Sequence, residues 1–170
     1  MNKPKISAVC AMDSKRGIGK DSKLLFRIKE DFERMRKVIL GKPIIMGRKT
    51  YESVLSYTDG KIIPGSTNIV VTNDPDYWEK HKEGCVVVHS LDEAIMKAEE
   101  ENPKEIIIFG GGKIYKEALP ITDKLYLTIV EGDFKADTFF PDYSEFKRVI
   151  FEESHKSDGL KYKFLDLERG

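Results

Sequence analysis

The chain has 170 residues, a length that fits one domain spanning residues 1–170. Hydrophobic residues make up 40% of the chain and charged residues 34%, which is enough for a core beneath a strongly charged surface. The 29 Lys and Arg residues balance the 29 Asp and Glu residues. This neutrality gives no electrostatic reason to expect a nucleic acid or an anionic membrane as a partner.

The two cysteines and the N-terminal segment indicate a cytoplasmic protein. Cys10 and Cys85 lie far apart, each in an apolar run, which is not a disulfide framework, although a single disulfide stays open. The first apolar run is too short for a signal peptide, and no stretch approaches the length of a membrane span. Nothing in the sequence indicates an obligate oligomer, so we expect a monomer.

Short apolar runs alternate with helical patterns along the first 130 residues. Strands are predicted at Ile6–Met12, Pro43–Met46, Asn68–Thr72, Cys85–His89, Glu105–Phe109 and Leu125–Val130. Helices are predicted at Ile28–Leu40, Thr50–Leu55, Leu91–Glu101 and Lys113–Ala118. Two alternating stretches, Phe146–Glu153 and Leu160–Leu167, flank Ser157-Asp158-Gly159, a hairpin signal. The pattern predicts an α/β sheet flanked by helices, mostly parallel and finished by an antiparallel hairpin.

The first long polar segment, Asp13–Arg27, contains two glycines and lacks helical periodicity. A loop of this length inside a compact domain is typical of a lid or a binding loop. A plain surface connection is the other interpretation.

The helix that follows carries a carboxylate among apolar residues. At about 100° per residue, an apolar stripe forms from Ile28, Phe32, Met35, Val38 and Ile39, and Asp31 falls inside it. A carboxylate on this side must find hydrogen-bond donors or lie in a cleft, because an unpaired buried charge is costly. Alternatively, Asp31 is an acid in the first helical turn, where the helix dipole favours it.

Two predicted strands break at glycine into a helix start. After Gly47 come Arg48, Lys49 and Thr50, which together with helix N–H groups make a candidate anion site; an ordinary charged turn is the alternative. The second break, Gly110-Gly111-Gly112, lets the backbone approach a pyrophosphate but fails as a Rossmann fingerprint. The two breaks together suggest a dinucleotide held by two strand–helix turns.

Other arrangements are discounted. His81, Cys85 and His89 share a helical spacing, but Val86–Val88 reads as strand, where four residues span about 13 Å, too far for one metal ion. We therefore expect no metal. Trp78 and the tyrosines are scattered, which favours packing.

The chain resembles a dihydrofolate reductase over essentially its full length. The stretches that carry the resemblance are Ile6–Gly19, Leu24–Phe32, Lys42–Ser53, Pro64–Thr72, Glu105–Tyr115, Leu125–Thr128 and Asp137–Tyr143. The resemblance implies a mixed eight-stranded sheet and NADPH-dependent reduction of 7,8-dihydrofolate to tetrahydrofolate for one-carbon metabolism. It also implies binding of antifolate inhibitors.

Carried over by position, the resemblance implies that Asp31 hydrogen-bonds N3 and the 2-amino group of the pterin. Thr128 is expected to bind Asp31, directly or through water, and Leu24 and Phe26 to join Asp31 at the catalytic centre. A carboxylate in such a pocket is expected to have a raised pKa. The substrate pocket is expected to be lined by Val9, Cys10, Phe32, Met35, Val54, Ile63 and Phe109.

The resemblance also implies an NADPH site at the lid and at strand–helix turns. Its members are Ala11, Gly17, Ile18, Gly19, Gly47, Arg48, Lys49, Thr50, Thr72, Asn73, Gly110, Gly111, Gly112, Lys113, Ile114 and Tyr115. Arg48–Thr50 are assigned to the phosphates and Thr72–Asn73 to the adenosine 2′-phosphate region. The Gly110–Gly111 peptide is expected to be cis.

This chain departs from the family pattern at two places. Many members carry Pro-Trp in the lid, where this chain has Leu25-Phe26, and Phe26 cannot donate the indole hydrogen bond that holds a water near the pterin. Ser66 stands where the family usually has an arginine that pairs with the substrate's glutamate tail. Arg36 or Lys61 is a candidate substitute. Two other hypotheses stay open: a reductase of the same fold acting on a pyrimidinone of riboflavin synthesis, and a non-catalytic nucleotide- or antifolate-binding protein.

Overall fold

The computed structural model describes residues 3–60, 62–77 and 85–170. Its strands are β1 (Lys5–Asp13), β2 (Gly17–Gly19), β3 (Ile44–Gly47), β4 (Asn68–Val71), β5 (Cys85–Val88), β6 (Glu105–Gly110), β7 (Lys124–Val130), β8 (Thr138–Phe139), β9 (Arg148–Ser157) and β10 (Leu160–Glu168). Its helices include α1 (Lys29–Ile39), α2 (Arg48–Tyr57), α3 (Leu91–Glu99) and α4 (Gly112–Ala118), followed by a 3₁₀ turn at Leu119–Ile121. Lys61, Trp78 and His81 lie outside the described residues.

The main sheet has eight strands in the order β5–β4–β3–β6–β1–β7–β10–β9. The pairs from β5 through β7 are parallel. β10 is antiparallel to both β7 and β9. The predicted fold class is therefore confirmed, including the mostly parallel sheet and its antiparallel end.

The C-terminal hairpin turns where the sequence predicts it. Ser157 pairs with Leu160, and the two residues between them, Asp158 and Gly159, have φ of 50° and 80°. A two-residue turn of this hand matches the twist of the flanking strands, and Asp-Gly accepts it at low cost. β9 begins at Arg148 and ends at Ser157, so the strand lies two to four residues beyond the predicted Phe146–Glu153.

The central strands are covered on both faces. Ile106, Ile107 and Ile108 are fully buried; the first and third pack into one hydrophobic cluster and the second into another. Successive side chains of a strand point to opposite faces, so a continuous apolar run requires a layer on each side. This explains why β6 reads as an unbroken apolar run.

The predicted loop Asp13–Arg27 contains a strand that the sequence analysis did not predict. β2 pairs antiparallel with β8, which brings Gly17 opposite Phe139. Strands of three and two residues carry too little periodicity to be recognised in a sequence. The segment Asp13–Arg27 is therefore attached to the rest of the protein by backbone hydrogen bonds between β2 and β8.

Helix ends also differ from the prediction. α2 begins two residues earlier than Thr50 and ends two residues later than Leu55, because Gly47 is still extended and the helix continues past the last apolar residue. α1 begins after Ile28, which is extended, and α3 ends at Glu99. Within the described part of the chain, no helix is both long and apolar enough to cross a membrane.

Candidate active site

A cavity of about 740 Å³ lies between α1, α2 and the central strands. Every residue predicted to bind the substrate lines it: Val9, Cys10, Asp31, Phe32, Met35, Val54, Ile63, Phe109 and Thr128. Leu24 and Phe26 of the lid segment line it as well. The structure therefore brings the predicted pterin-pocket residues together in one place.

Asp31 is the carboxylate of this cavity. The Thr128 hydroxyl donates a hydrogen bond of 2.5 Å to Asp31 Oδ1, so the contact that the resemblance implies, directly or through water, is direct. Burial raises the pKa of Asp31, while the Thr128 hydrogen bond and the positive charge of Arg34 lower it. The net pKa is raised, because removing water from a carboxylate disfavours its charged form.

Asp31 is both a carboxylate facing a cavity and an acid in the first turn of a helix, the two interpretations that the sequence allows. It lies in the first turn of α1, where Ile28 is extended and the helix begins, and its side chain faces the cavity. The apolar stripe of the helix serves both the cavity and the core. Phe32, Met35 and Ile39 all line the cavity, and Ile39 is also buried in a core cluster against which Met35 packs. α1 therefore contributes to binding and to packing through the same stripe.

Polar backbone groups at the inner end of the cavity are held by Tyr115. Its hydroxyl lies 2.6 Å from the carbonyl oxygen of Val9 and 2.9 Å from that of Phe109, so it bridges β1 and β6. Cys10 is buried beside it, and desolvation raises the pKa of the thiol well above its usual range. A neutral buried thiol is not a nucleophile.

The two strand–helix turns meet at one edge of this cavity. A Cβ placed on Gly111 would lie 3.1 Å from Thr50 Oγ1, and one on Gly47 would lie 3.3 Å from Ile114 Cγ1. Gly110 has a φ of 120°, which a side chain would strain, and the Gly110–Gly111 peptide is cis as expected. The backbones of the two turns therefore approach each other closely.

The α2 turn has the features of an anion site. No side chain of the described residues caps the first turn of α2, whereas Ser90 caps α3 by accepting a hydrogen bond from the backbone N–H of Glu93. Uncapped N–H groups at a helix start bind anions readily. Arg48 and Lys49 are exposed beside them. The uncapped start of α2 with Arg48 and Lys49, together with the nearby glycine turn, forms a nucleotide cradle that fits a pyrophosphate.

The predicted cofactor residues divide into three groups. Those that line the cavity are Ala11, Ile18, Thr50, Gly110, Gly111 and Tyr115. Those in the adjoining lid and turns are Gly17, Gly19, Gly47, Arg48, Lys49, Gly112 and Lys113, and Ile114 is buried in the core. Thr72 and Asn73 follow β4, which neighbours β3, so they lie at the same edge of the sheet as Gly47.

Gly17 is constrained by the protein itself. Its N–H donates to Asp13 Oδ1 at 2.7 Å, and an added Cβ would lie 2.5 Å from the Cβ of Ala136. Asp13, which the sequence analysis did not single out, also accepts hydrogen bonds from the N–H groups of Lys15 and Phe134. This buried carboxylate therefore ties the lid to the segment before β8.

Ser66 does not line the cavity. Its hydroxyl donates to the carbonyl of Ile39 at the end of α1, at 2.8 Å. Arg36 and Arg27 line the cavity instead, and Arg27 lies over the ring of Tyr57 at 4.1 Å. The sequence analysis did not single out Arg27, because a polar loop has no periodicity that would show which of its basic side chains faces a cavity.

Phe26 is held by aromatic packing. Its ring meets Phe134 edge to face at a centroid distance of 5.3 Å, and both pack against a cluster that includes Ile28 and Val130. It provides an apolar wall and no hydrogen-bond donor.

The fold and the site together define an α/β protein with a carboxylate-bearing cavity next to a nucleotide cradle. A sequence profile of the dihydrofolate reductase family matches residues 5–169. The dihydrofolate reductase of Staphylococcus haemolyticus is 36% identical over 162 residues, covering 94% of this chain and 92% of its own. That of Bacillus subtilis (strain 168) is 36% identical over 168 residues, with coverages of 96% and 94%.

A solved structure gives the same result. Dihydrofolate reductase from Enterococcus faecalis, complexed with NADP(H) and RAB-propyl, superposes with a TM-score of 0.84 at 28% identity, covering 98% of this chain and 96% of that one. The chain belongs to the dihydrofolate reductase family.

Proposed function

We propose that this chain reduces 7,8-dihydrofolate to 5,6,7,8-tetrahydrofolate with NADPH. The observation that carries the proposal is a carboxylate, Asp31, held by Thr128 in a cavity that opens beside the glycine-rich turns. Family membership supports the same reaction. The protein is an oxidoreductase of that type.

Asp31 recognises the pterin ring. A carboxylate accepts several hydrogen bonds, so beyond the one from Thr128 it can accept from N3 and the 2-amino group of the ring. Phe32, Phe109 and Val54 enclose the ring in apolar walls. These contacts orient C6 and exclude bulk water.

The nucleotide cradle positions the second reactant. NADPH, when bound, supplies the hydride that C6 receives. The α2 N-terminus with Arg48 and Lys49 would hold its phosphates, and the absence of side chains at Gly110 and Gly111 would let it approach the backbone. Ile18, from the segment Asp13–Arg27, also lines the cavity. The protein contributes alignment and electrostatics.

Reduction also requires a proton at N5 of the pterin. Asp31 polarises the ring so that N5 becomes more basic, and a water entering past the lid delivers the proton. Burial raises the pKa of Asp31, so the protonation state of the site changes above the usual range of an aspartate. Because the carboxylate is the form that polarises the ring, turnover is expected to fall as pH decreases through the apparent pKa of the site.

Asp31→Asn tests the central assignment. The variant is expected to keep the fold and NADPH binding but to lose about 100-fold or more of its turnover at neutral pH, because an amide cannot replace the charge. NADPH consumption with dihydrofolate measures turnover, and fluorescence titration measures NADPH binding. Its thermal stability at neutral pH should match or exceed that of the wild type, because a carboxylate whose folded pKa is raised opposes folding once ionised. Near-normal turnover would refute the assignment.

The same assay separates the competing functions. NADPH consumption is measured with dihydrofolate, with the pyrimidinone of riboflavin synthesis, and with no acceptor. Oxidation with the pyrimidinone alone would favour the related reductase, and no oxidation in any arm would favour a binding protein. Replacing NADPH by NADH removes the 2′-phosphate and keeps the pyrophosphate, so it tests recognition of the 2′-phosphate, which is assigned to the region of Thr72 and Asn73.

We further propose that Arg36 and Arg27 bind the substrate's glutamate tail. Both line the main cavity and a second cavity of about 350 Å³ next to it, which Phe32 also lines. Ser66 is uncharged, and its hydroxyl is already bonded to the carbonyl of Ile39. The tail is therefore held more weakly than by a buried arginine.

We also propose a cytoplasmic, monomeric, single-domain protein that binds antifolates and no nucleic acid. The balanced charge supports the last point. Light scattering at micromolar concentration tests the monomer, and competition by an antifolate against dihydrofolate tests inhibitor binding.

A further inference from the structure

An ion pair on the wall of the cavity has no part in the mechanism described above. The guanidinium of Arg34, on α1, is hydrogen-bonded to the carboxylate of Asp166, on β10. Asp166 is 7% exposed and the Arg34 side chain 19% exposed, and Arg34 lines the cavity. Charges this poorly hydrated stabilise a fold less than a well-packed apolar pair would.

The register of the sheet sets this pair beside Asp31. In the β7–β10 pairing, Thr128 lies opposite Phe164 and Tyr126 lies opposite Asp166. Because side chains two residues apart share a face, Thr128 and Asp166 point to the same side in adjacent rows. On α1, three residues span about 4.5 Å along the axis. Asp31 thus meets Thr128 in one row, and Arg34 meets Asp166 in the next.

Aromatic rings restrict the guanidinium. Arg34 Cζ lies 4.7 Å from the ring centroid of Phe164 and 5.6 Å from that of Phe151. Phe151 stands opposite Asp166 on β9, so both rings flank the ion pair. A guanidinium packed on rings and bonded to a carboxylate has a defined position, which lets its charge act on a defined neighbour.

Arg34 is the cation that acts on Asp31 among the described residues. Its positive charge lowers the pKa of Asp31 against the effect of burial. The other titratable groups that interact with Asp31 are Cys10 on β1, Tyr115 on α4 and Tyr162 on β10, and each has a raised pKa that keeps it neutral at physiological pH. Glu30, on the same helix, is bonded to Tyr162.

We propose that Arg34 holds Asp31 in its carboxylate form inside the cavity and that Asp166 is a positioning residue that fixes Arg34. Asp166 does not line the cavity and so acts through Arg34. The proposal rests on the role proposed for Asp31. Asp166, which lies outside the cavity, would then influence how Asp31 binds the pterin ring.

The test uses variants that act in opposite directions. Arg34→Met alone leaves Asp166 buried without its partner, so the charge is removed with the double variant Arg34→Met/Asp166→Leu, which keeps an apolar contact. Asp166→Asn removes the counter-charge but keeps Arg34 in place, because the amide oxygen can still accept the hydrogen bond of the guanidinium. Arg34→Lys is the conservative control.

The titration of Asp31 is followed by carboxyl ¹³C NMR in the ligand-free protein, with Asp31 assigned by its loss in Asp31→Asn. We expect the Asp31 midpoint to move to higher pH in the double variant, to lower pH in Asp166→Asn and to stay near that of the wild type in Arg34→Lys. The pH limb of turnover should move in the same directions, about tenfold in rate on the limb for each unit.

A purely structural ion pair would change the melting temperature in the double variant and leave the Asp31 midpoint in place, and that result would overturn the proposal. Shifts of the same sign in the double variant and in Asp166→Asn would overturn it as well. The NMR result does not depend on the substrate. Opposite shifts without dihydrofolate turnover would support the inference and refute the proposed function, whereas turnover without shifts would refute the inference alone.

Discussion

Asp31 carries opposing influences in a small volume. Burial disfavours its charge, while a hydroxyl and a nearby guanidinium favour it. The pKa of a group balanced in this way responds to small changes in its surroundings. Such a response suits a carboxylate that interacts with a pterin ring gaining a proton at N5. Removing a single polar group next to Asp31 is therefore expected to change its pKa measurably.

Thr128→Val removes the hydroxyl that binds Asp31 and keeps the shape of the side chain. The lost hydrogen bond favoured the carboxylate, so we expect the pKa of Asp31 to rise and the pH limb of turnover to move to higher pH. We also expect a loss of about 1–2 kcal/mol in unfolding free energy. The pH dependence of kcat checks the first point and urea unfolding the second. Thr128→Ser restores the hydroxyl, and a limb unchanged in the valine variant would contradict the prediction.

Ser66→Arg tests the weak binding of the tail. A charge-assisted bond to the tail carboxylate is worth about 1.5 kcal/mol or more, so KM for dihydrofolate should fall about tenfold with little change in kcat. Ser66→Gln, long but neutral, is the control. An arginine variant with unchanged KM would indicate that Arg36 already binds the carboxylate.

Single elements of this fold serve both packing and binding. α1 packs through Ile39 and binds through Asp31, and the lid segment contributes both a cavity wall and the short strand β2. The lid depends on Asp13, whose two oxygens accept three backbone N–H bonds. A carboxylate suits this site because it accepts on both oxygens.

Asp13→Asn should loosen the lid. The amide turns an N–H donor toward backbone donors, so at least one hydrogen bond is lost and the unfolding free energy falls by about 2 kcal/mol. KM for NADPH should rise several-fold, because Ile18 and Gly17 belong to the same segment. Asp158→Asn in the hairpin turn is the matched control, since asparagine tolerates its φ of 50°. Equal effects of the two substitutions would argue against a tether.

At the scale of the whole molecule, the parallel strands form a layer covered on both sides. Because β6 lies between β3 and β1, a defect there reaches both hydrophobic clusters. The domain is therefore expected to unfold in one transition.

Ile107→Ala tests this packing. Ile107 is fully buried, so the variant should lose about 2–5 kcal/mol of unfolding free energy through lost transfer energy and the cavity left behind. Met96→Ala, at a position 69% exposed, should change it by less than about 0.5 kcal/mol. Urea unfolding followed by fluorescence and by circular dichroism measures both. Two separated transitions would show that the chain is not one cooperative unit.

Local patterns were sufficient for much of the architecture. The unbroken run Ile106–Phe109 predicts a strand buried on both faces, and Asp158-Gly159 predicts a hairpin, because both signals depend on neighbours in sequence. Asp31 was recognisable because its helical position conflicts with its charge. The pairing of β2 with β8 was not recognisable, since their contacts join residues about 120 apart.

The sequence by itself determined the eight strands of the main sheet, the fold class and the family resemblance, because periodicity and motif spacing are local properties. Only the tertiary structure decided the environment of Asp31. The partners that set its charge, Thr128 directly and Asp166 through Arg34, come from strands about 100 residues or more away. Electrostatic interactions depend on the distance between groups in space and on their burial, and neither can be read from the sequence alone.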